Sequence, residues 1–324
     1  MPITPDAQSI LLLCSQLGLP SDPEFAPLTL REWNPLVRKM QAVSLRPSDL
    51  INLSQADLQS QFDLSTEHAT RLVHLLERSG SLAIALERLN NLGIFVLTRA
   101  DSDYPEIYRA RLKDSAPAVL FYAGEKALLG QPGIAVVGSR HLDEAGQECA
   151  KFVGNACGMS GQVLYSGGAK GVDTLSMDAA LEARGTAVGV LADSLERAVR
   201  GQKEALSRGD LCLVTPYSPN AGFSVGAAMG RNRLIYCLAD HAIVVASDAE
   251  TGGTWAGATE TLKNKWVPVF VLEHAHMPEG NKLLLQRGAL PFPHPFKEPP
   301  VKLPEWMKEQ SASLPSQPSQ PSLF

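Results

Sequence analysis

Residues 133–173 use one pattern twice: a short apolar run ending on glycines and a cation, GIAVVGSR and then QVLYSGGAKGVD, with one amphipathic stretch between them. Apolar runs this short, bounded by glycine, fit strands of a sheet covered on both faces better than buried helices. In an open parallel sheet, the loops leaving the carboxyl ends of the strands bind phosphorylated ligands on backbone N–H groups and helix N-termini. One such loop is equally well an ordinary tight turn. Two loops, each with its own cation, direct the reading to an anion site for a nucleotide or a nucleic-acid backbone. Gly138 lets the backbone approach an anion, Ser139 offers a hydroxyl, and Arg140 a guanidinium fork. In the second loop, Gly167, Gly168 and Gly171 leave N–H groups open, and Lys170 is a point charge beside them. The spacing is not GxGxxG and no GxxxxGK[ST] occurs, which disfavours a dinucleotide fingerprint and a P-loop.

Alternation continues to the end of the apolar sequence. GIFVLT and AVLFYAG are strands with YPEIYRARL as a helix between them. GIAVVG, QVLYS, TAVGVL, LCLVT, HAIVVAS and VPVFVL follow, separated by helical stretches at 143–160, 172–184, 195–208, 225–239 and 254–265, with another at 280–287. This predicts the α/β class with an open, doubly wound, mainly parallel sheet of extended Rossmann-like type, because a closed barrel needs eight units. Residues 1–90 carry helical spacing, with Leu72, Leu75, Leu76, Leu82 and Leu86 on one face, and predict a small N-terminal all-α domain. LRPSDLINLSQADL suggests a helix-hairpin-helix element but lacks the hairpin glycine. Residues 91–298 form the Rossmann-like domain, and 299–324 are expected to be a Pro/Ser/Gln-rich disordered tail.

A formal net charge of −5 excludes a uniformly basic coat, so any polyanion site is a local patch. Five cysteines without CxxC spacing predict reduced thiols in a cytoplasmic protein. No stretch has the roughly 18 apolar residues of a membrane span, and no basic stretch leads into an apolar signal segment. Two further segments fall on the same sheet edge. Arg231, Asn232 and Arg233 suit phosphate and base-edge contacts, although Arg231 and Arg233 point apart on a helix. The loop Thr251, Gly252, Gly253, Thr254 opens the helix after HAIVVAS, where Thr254 is equally an N-cap. Chemistry has little support. Asp173 suits orienting Lys170 or a ribose, or stabilising its own helix start. Neither HExxH nor GxSxG occurs, and His274 and His276 fit a loop better than a metal site. The expectation is no catalytic residue, no metal and no cofactor.

Taken in order, VVGSR, SGGAKGVD, GRNRLI and TGGT resemble the DprA/Smf family of DNA-processing proteins of natural transformation, over about residues 93–272. The lead-in DSDYPEIYRARLKDSAPAVLFYAG is also similar. The resemblance implies a non-catalytic, homodimeric protein that binds single-stranded DNA in a basic pocket and presents it to a RecA-type recombinase. Residue by residue it implicates Gly138, Ser139 and Arg140, then Ser166, Gly168, Lys170, Gly171 and Asp173, then Arg231, Asn232 and Arg233. The sequence departs from the family in three places: SGLARG is SGGAKG, the SGSL-type loop is TGGT, and Ser176 and Met177 stand where relatives often carry a histidine. No winged-helix pattern follows residue 290. LOG-type nucleoside-monophosphate phosphoribohydrolases share the fold, and TGGTWAGATE echoes their PGGxGTxxE. Here Glu260 falls one residue late, a rotation of about 100° on a helix. That enzyme, and a nucleotide-sensing domain of the same superfold with a role such as genome defence, are the alternatives.

Overall fold

The protein is represented by a computed structural model that describes residues 3–20 and 24–312. Contacts divide it into two compact units. Of the described residues, unit 1 comprises 3–20, 24–104, 112–122 and 216–219, and unit 2 comprises 105–111, 123–215 and 220–312.

Unit 1 is built on α1 (Pro5–Cys14), α2 (Leu30–Ala42), α3 (Gln55–Phe62), α4 (Thr66–Leu76) and α5 (Ser79–Asn91). Local chemistry starts these helices. The Thr4, Ser54 and Ser65 hydroxyls accept from the N–H groups of Ala7, Asp57 and His68, and Thr29 with Glu32 forms a capping box. Leu11, Leu12, Leu13, Trp33, Met40, Leu58 and Leu75 form the core. Of the expected apolar face, Leu72, Leu75, Leu76 and Leu82 are buried, whereas Leu86 is half-buried. The carbonyls left open at the end of α1 are met by the Arg78 guanidinium, which donates to Leu12, Ser15 and Leu17. After α5, β1 (Phe95–Thr98) pairs antiparallel with β2 (Val119–Gly124), Phe95 opposite Tyr122.

Unit 2 carries α6 (Glu106–Leu112) over residues 106–111 and then the sheet: β3 (Gly133–Val137), β4 (Val163–Ser166), β5 (Thr186–Val190), β6 (Leu211–Thr215), β7 (His241–Val244), β8 (Val269–Glu273) and β9 (Leu290–Pro293). The spatial order is β6-β5-β4-β3-β7-β8-β9, and every adjacent pair is parallel. The connections are α7 (Glu144–Ser160), α8 (Val172–Glu182), α9 (Leu195–Gly201) with α10 (Lys203–Arg208), α11 (Val225–Leu238), α12 (Gly252–Asn264) and α13 (Glu279–Gln286). The single helix expected over 195–208 is broken at Gln202, whose backbone is non-helical at φ −120° and ψ 25°. α7 and α8 approach closely because Gly154 has no side chain: a Cβ there would lie 2.4 Å from the Ser176 carbonyl oxygen.

The chain end differs from the sequence expectation. β9 was not expected in so proline-rich a stretch, but it is the last strand of the order, and prolines are tolerated on an edge. Residues 299–312 lie in the expected disordered tail, yet α14 (Leu303–Ser311) forms there. Leu303 and Met307 are fully buried, and Trp306 packs against Phe270, Phe292 and Phe296 with ring centroids 5.1–5.8 Å apart. The i, i+3, i+4 spacing of Leu303, Trp306 and Met307 makes this face, and Pro304 fits a first turn. The rest of the expected tail, 313–324, lies outside the described residues. Among the described residues, no helix is long and apolar enough to cross a membrane.

Candidate functional site

Strand order reverses at β3, which has β4 on one side and β7 on the other. At such a switch point the loops after the two strands diverge and leave a crevice at the carboxyl edge. Here the loop after β3 carries Gly138, Ser139 and Arg140, and the loop after β7 leads to Gly252, Gly253 and Thr254. Both line one crevice of about 640 Å³, together with Asn232 of α11. The start of α12 faces this space, bringing backbone N–H groups and the positive end of a 13-residue helix.

Backbone packing shapes the first loop. The Ser139 N–H donates to the Ala246 carbonyl at 2.9 Å, and the Ser139 hydroxyl accepts from the His141 N–H at 3.2 Å. Gly171 has φ +97°, and a Cβ on it would lie 2.7 Å from Arg140 Cα, so the two glycine loops of the sequence pack backbone to backbone. Arg140 is exposed, and its guanidinium stands 5.6 Å from the centre of the Phe223 ring. On the opposite wall, a Cβ at Gly253 would lie 2.8 Å from Asn232 Nδ2, which brings α12 close against α11. The loop after β7 is tied down by Asn281, a fully buried residue of α13. Its amide donates to the carbonyls of Val245 and Leu272 at 3.0 Å and accepts from the Ser247 N–H at 2.9 Å.

Not every expected residue reaches the crevice. Ser166 is fully buried and donates to the Val136 carbonyl at 2.6 Å, a strut between β4 and β3 rather than a ligand group. Gly167 is buried behind the crevice wall, while Gly168 and Lys170 are exposed and do not line it. Gly171 contributes by packing. Arg231 lines the wall although only 6% of it is exposed, whereas Arg233 is outside the lining and donates through Nε to the Gly230 carbonyl at 3.1 Å. Two residues on a helix differ by about 200°, which separates these arginines. Asp173 is buried at the crevice floor, accepting from the Ala169 N–H at 3.3 Å, with Arg231 Nη1 4.0 Å away. Burial pushes its carboxyl above the usual range, and the Arg231 charge and the Ala169 N–H pull it back down in part. Glu260 does not line the crevice, so a carboxylate in the phosphoribohydrolase role is missing at that position.

Several lining residues escaped the sequence reading, among them Phe223, Asp248 and Glu250. Phe223 is 57% exposed, an unusual state for an aromatic that only the structure reveals. The two acids matter for charge. With Asp173 they set three carboxylates against the guanidiniums of Arg140 and Arg231, so acidic groups share the crevice with the cations of the basic pocket that the resemblance implies. Its capacity for an anion rests on the fork of Arg140, on the Arg231 guanidinium in the wall and on the N–H groups at the start of α12. Among the described residues, no group of three or more His, Cys, Asp or Glu could hold a metal ion.

Comparison with known proteins agrees with this edge-on architecture. The DNA processing protein DprA of Streptococcus pneumoniae is 30% identical over 195 residues, covering 58% of this chain and 65% of the relative. Protein Smf of Synechocystis is 27% identical, covering 48% of this chain and 40% of the relative. The matches thus span less than two thirds of the length of these curated relatives. Among solved structures, that of the S. pneumoniae DNA processing protein A matches with a TM-score of 0.66 at 23% identity, covering 90% of this chain and 95% of that one. A Helicobacter pylori DNA processing protein A, whose structure is described as giving insight into its single-stranded DNA binding mode, matches with a TM-score of 0.52 at 24% identity, covering 61% of this chain and 90% of that one. Because the family model for DNA recombination-mediator protein A matches residues 95–296, the stretch that includes the whole crevice, the chain belongs to that family.

Proposed function

We propose that this chain is a non-catalytic DNA-processing protein that binds single-stranded DNA at the switch-point crevice, in the cytoplasm, and presents it as a homodimer to a RecA-type recombinase. The observation that carries the reading is the meeting of Arg140, Asn232 and the N-terminus of α12 on one crevice, with Phe223 beside the guanidinium. A guanidinium fork and open N–H groups suit a phosphodiester, and an exposed aromatic suits an unstacked base, which a duplex does not offer. Lys170, Gly168 and Arg233, outside the crevice lining, would serve the strand only where it leaves the crevice.

Fluorescence anisotropy tests the binding. A labelled oligothymidylate should bind more tightly than a duplex of equal length, and Arg140→Glu should abolish binding while Lys170→Glu weakens it only several-fold. Equal affinity for duplex, or binding that survives Arg140→Glu, would refute the assignment. Presentation to a recombinase is tested separately, by whether the protein speeds RecA filament growth on strands coated with a single-strand binding protein. Size-exclusion chromatography with light scattering tests the dimer.

A further inference from the structure

Three glycines precede α8, and two of them answer to backbone conformation: Gly168 has φ +66° and Gly171 φ +97°. Gly167 lies outside the left-handed region, so conformation does not explain it. Space does. A Cβ built on Gly167 would fall 1.4 Å from Arg231 Nη1, 2.4 Å from Arg231 Cζ and 2.6 Å from Asp173 Oδ2. The guanidinium thus occupies the volume that any side chain at 167 would take, and a Cβ there would stand between Arg231 Nη1 and the Asp173 carboxylate, which are 4.0 Å apart. Both charged side chains are more than nine-tenths buried, and Asp173 is anchored by the Ala169 N–H. α11 brings the arginine, the glycine directly follows β4, and α8 supplies the acid, so three parts of the chain meet at one cation.

We propose that Gly167 and Asp173 form a socket that positions Arg231, holding its guanidinium in the crevice wall as a fixed positive centre for the DNA backbone instead of letting it swing into the crevice. The proposal rests on the single-stranded DNA reading and assigns the socket residues no contact with the strand. Asp173 and Gly167 are positioning residues, which differs from the ligand role expected of them from sequence. A flexible arginine end can yield to a methyl group more cheaply than backbone can, so Gly167→Ala should fold and expel the guanidinium. Asp173→Asn should free it by removing the opposing charge.

The test combines oligothymidylate affinity with the ¹⁵N signal of the Arg231 Nε–H group, assigned by its loss in Arg231→Lys. In the full chain, Gly167→Ala should lower affinity by about tenfold or more, the scale of one charge-assisted hydrogen bond, and shift or broaden that signal. Arg231→Lys should cost several-fold in the parent protein and less than twofold in Gly167→Ala, because the socket is already empty. Additive losses in the double variant, or an unchanged affinity and signal in Gly167→Ala, would overturn the proposal. Asp173→Asn gives a second, independent perturbation with the same expected signature. A parent protein that binds no oligonucleotide, but whose Arg231 signal moves in both variants, would remove the DNA reading and uphold the socket.

Discussion

Asn281 is the residue whose loss should be felt furthest from its own position. Its side chain is fully buried and makes three hydrogen bonds of 2.9–3.0 Å, two to the backbone of the loop that follows β7 and one to β8. Asn281→Leu keeps the branched four-atom shape and removes all three. The Ser247 N–H then loses its acceptor, at a cost of about 1–3 kcal/mol for a buried donor, and the two carbonyls each lose about 0.5–1.5 kcal/mol of net bonding. Part is regained because leucine no longer needs a polar side chain desolvated, so a destabilisation of about 3 kcal/mol is expected. Urea unfolding should show this as a lower midpoint with an unchanged slope. Hydrogen exchange should show the Ser247 amide losing protection while the amides of β4 and β5 keep theirs. A loss below about 1 kcal/mol, or a Ser247 amide that stays protected, would refute the claim that Asn281 fixes this wall of the crevice.

Three further outcomes bear on other parts of the fold. Gly154→Ala gains helix propensity but drives a methyl group against the Ser176 carbonyl, so it should destabilise by about 1–2 kcal/mol in urea unfolding. Leu303→Ala should cost about 3 kcal/mol, whereas a disordered tail would make it silent. Burial pushes the Glu32 carboxyl up, but the Arg71 guanidinium and the Thr29 N–H and hydroxyl outweigh it and hold it at about 2. A depressed carboxyl stabilises above its unfolded value near 4.5, and that stability is lost as pH falls from there toward 2. The melting temperature of the parent protein should therefore fall more steeply over this window than that of Glu32→Gln, measured by circular dichroism.

The sheet was legible in sequence because its central strands are continuous apolar runs, which only a sheet covered on both faces can bury, and because each ends at a turn residue. The first glycine loop was legible for a related reason: Gly138, Ser139 and Arg140 are consecutive, and the strand before them fixes where they emerge. The second loop was misjudged in detail because its residues serve the interior. Whether Ser166 points to a ligand or to Val136 depends on β3, some 30 residues earlier, and whether Gly167 is open or filled by Arg231 depends on α11, a helix some 60 residues later in the chain. Phe223 was overlooked since nothing local distinguishes a loop aromatic that packs from one that stays exposed. α14 was missed because proline content outweighed a short apolar face, Leu303, Trp306 and Met307, whose partners Phe292 and Phe296 lie in the same proline-rich stretch.

The central claim, that one crevice with few cations grips a single strand through Arg140, is tested most directly by the salt dependence of oligothymidylate binding. Each phosphate neutralised contributes about −0.7 to the slope of log affinity against log salt, so two guanidiniums predict a slope of about −1.4 and a roughly sevenfold loss between 50 and 200 mM salt. Arg140→Gln should weaken binding and make the slope shallower by about 0.7. A slope that Arg140→Gln leaves unchanged, or a parent slope several times steeper, would contradict the account and move the DNA to another surface.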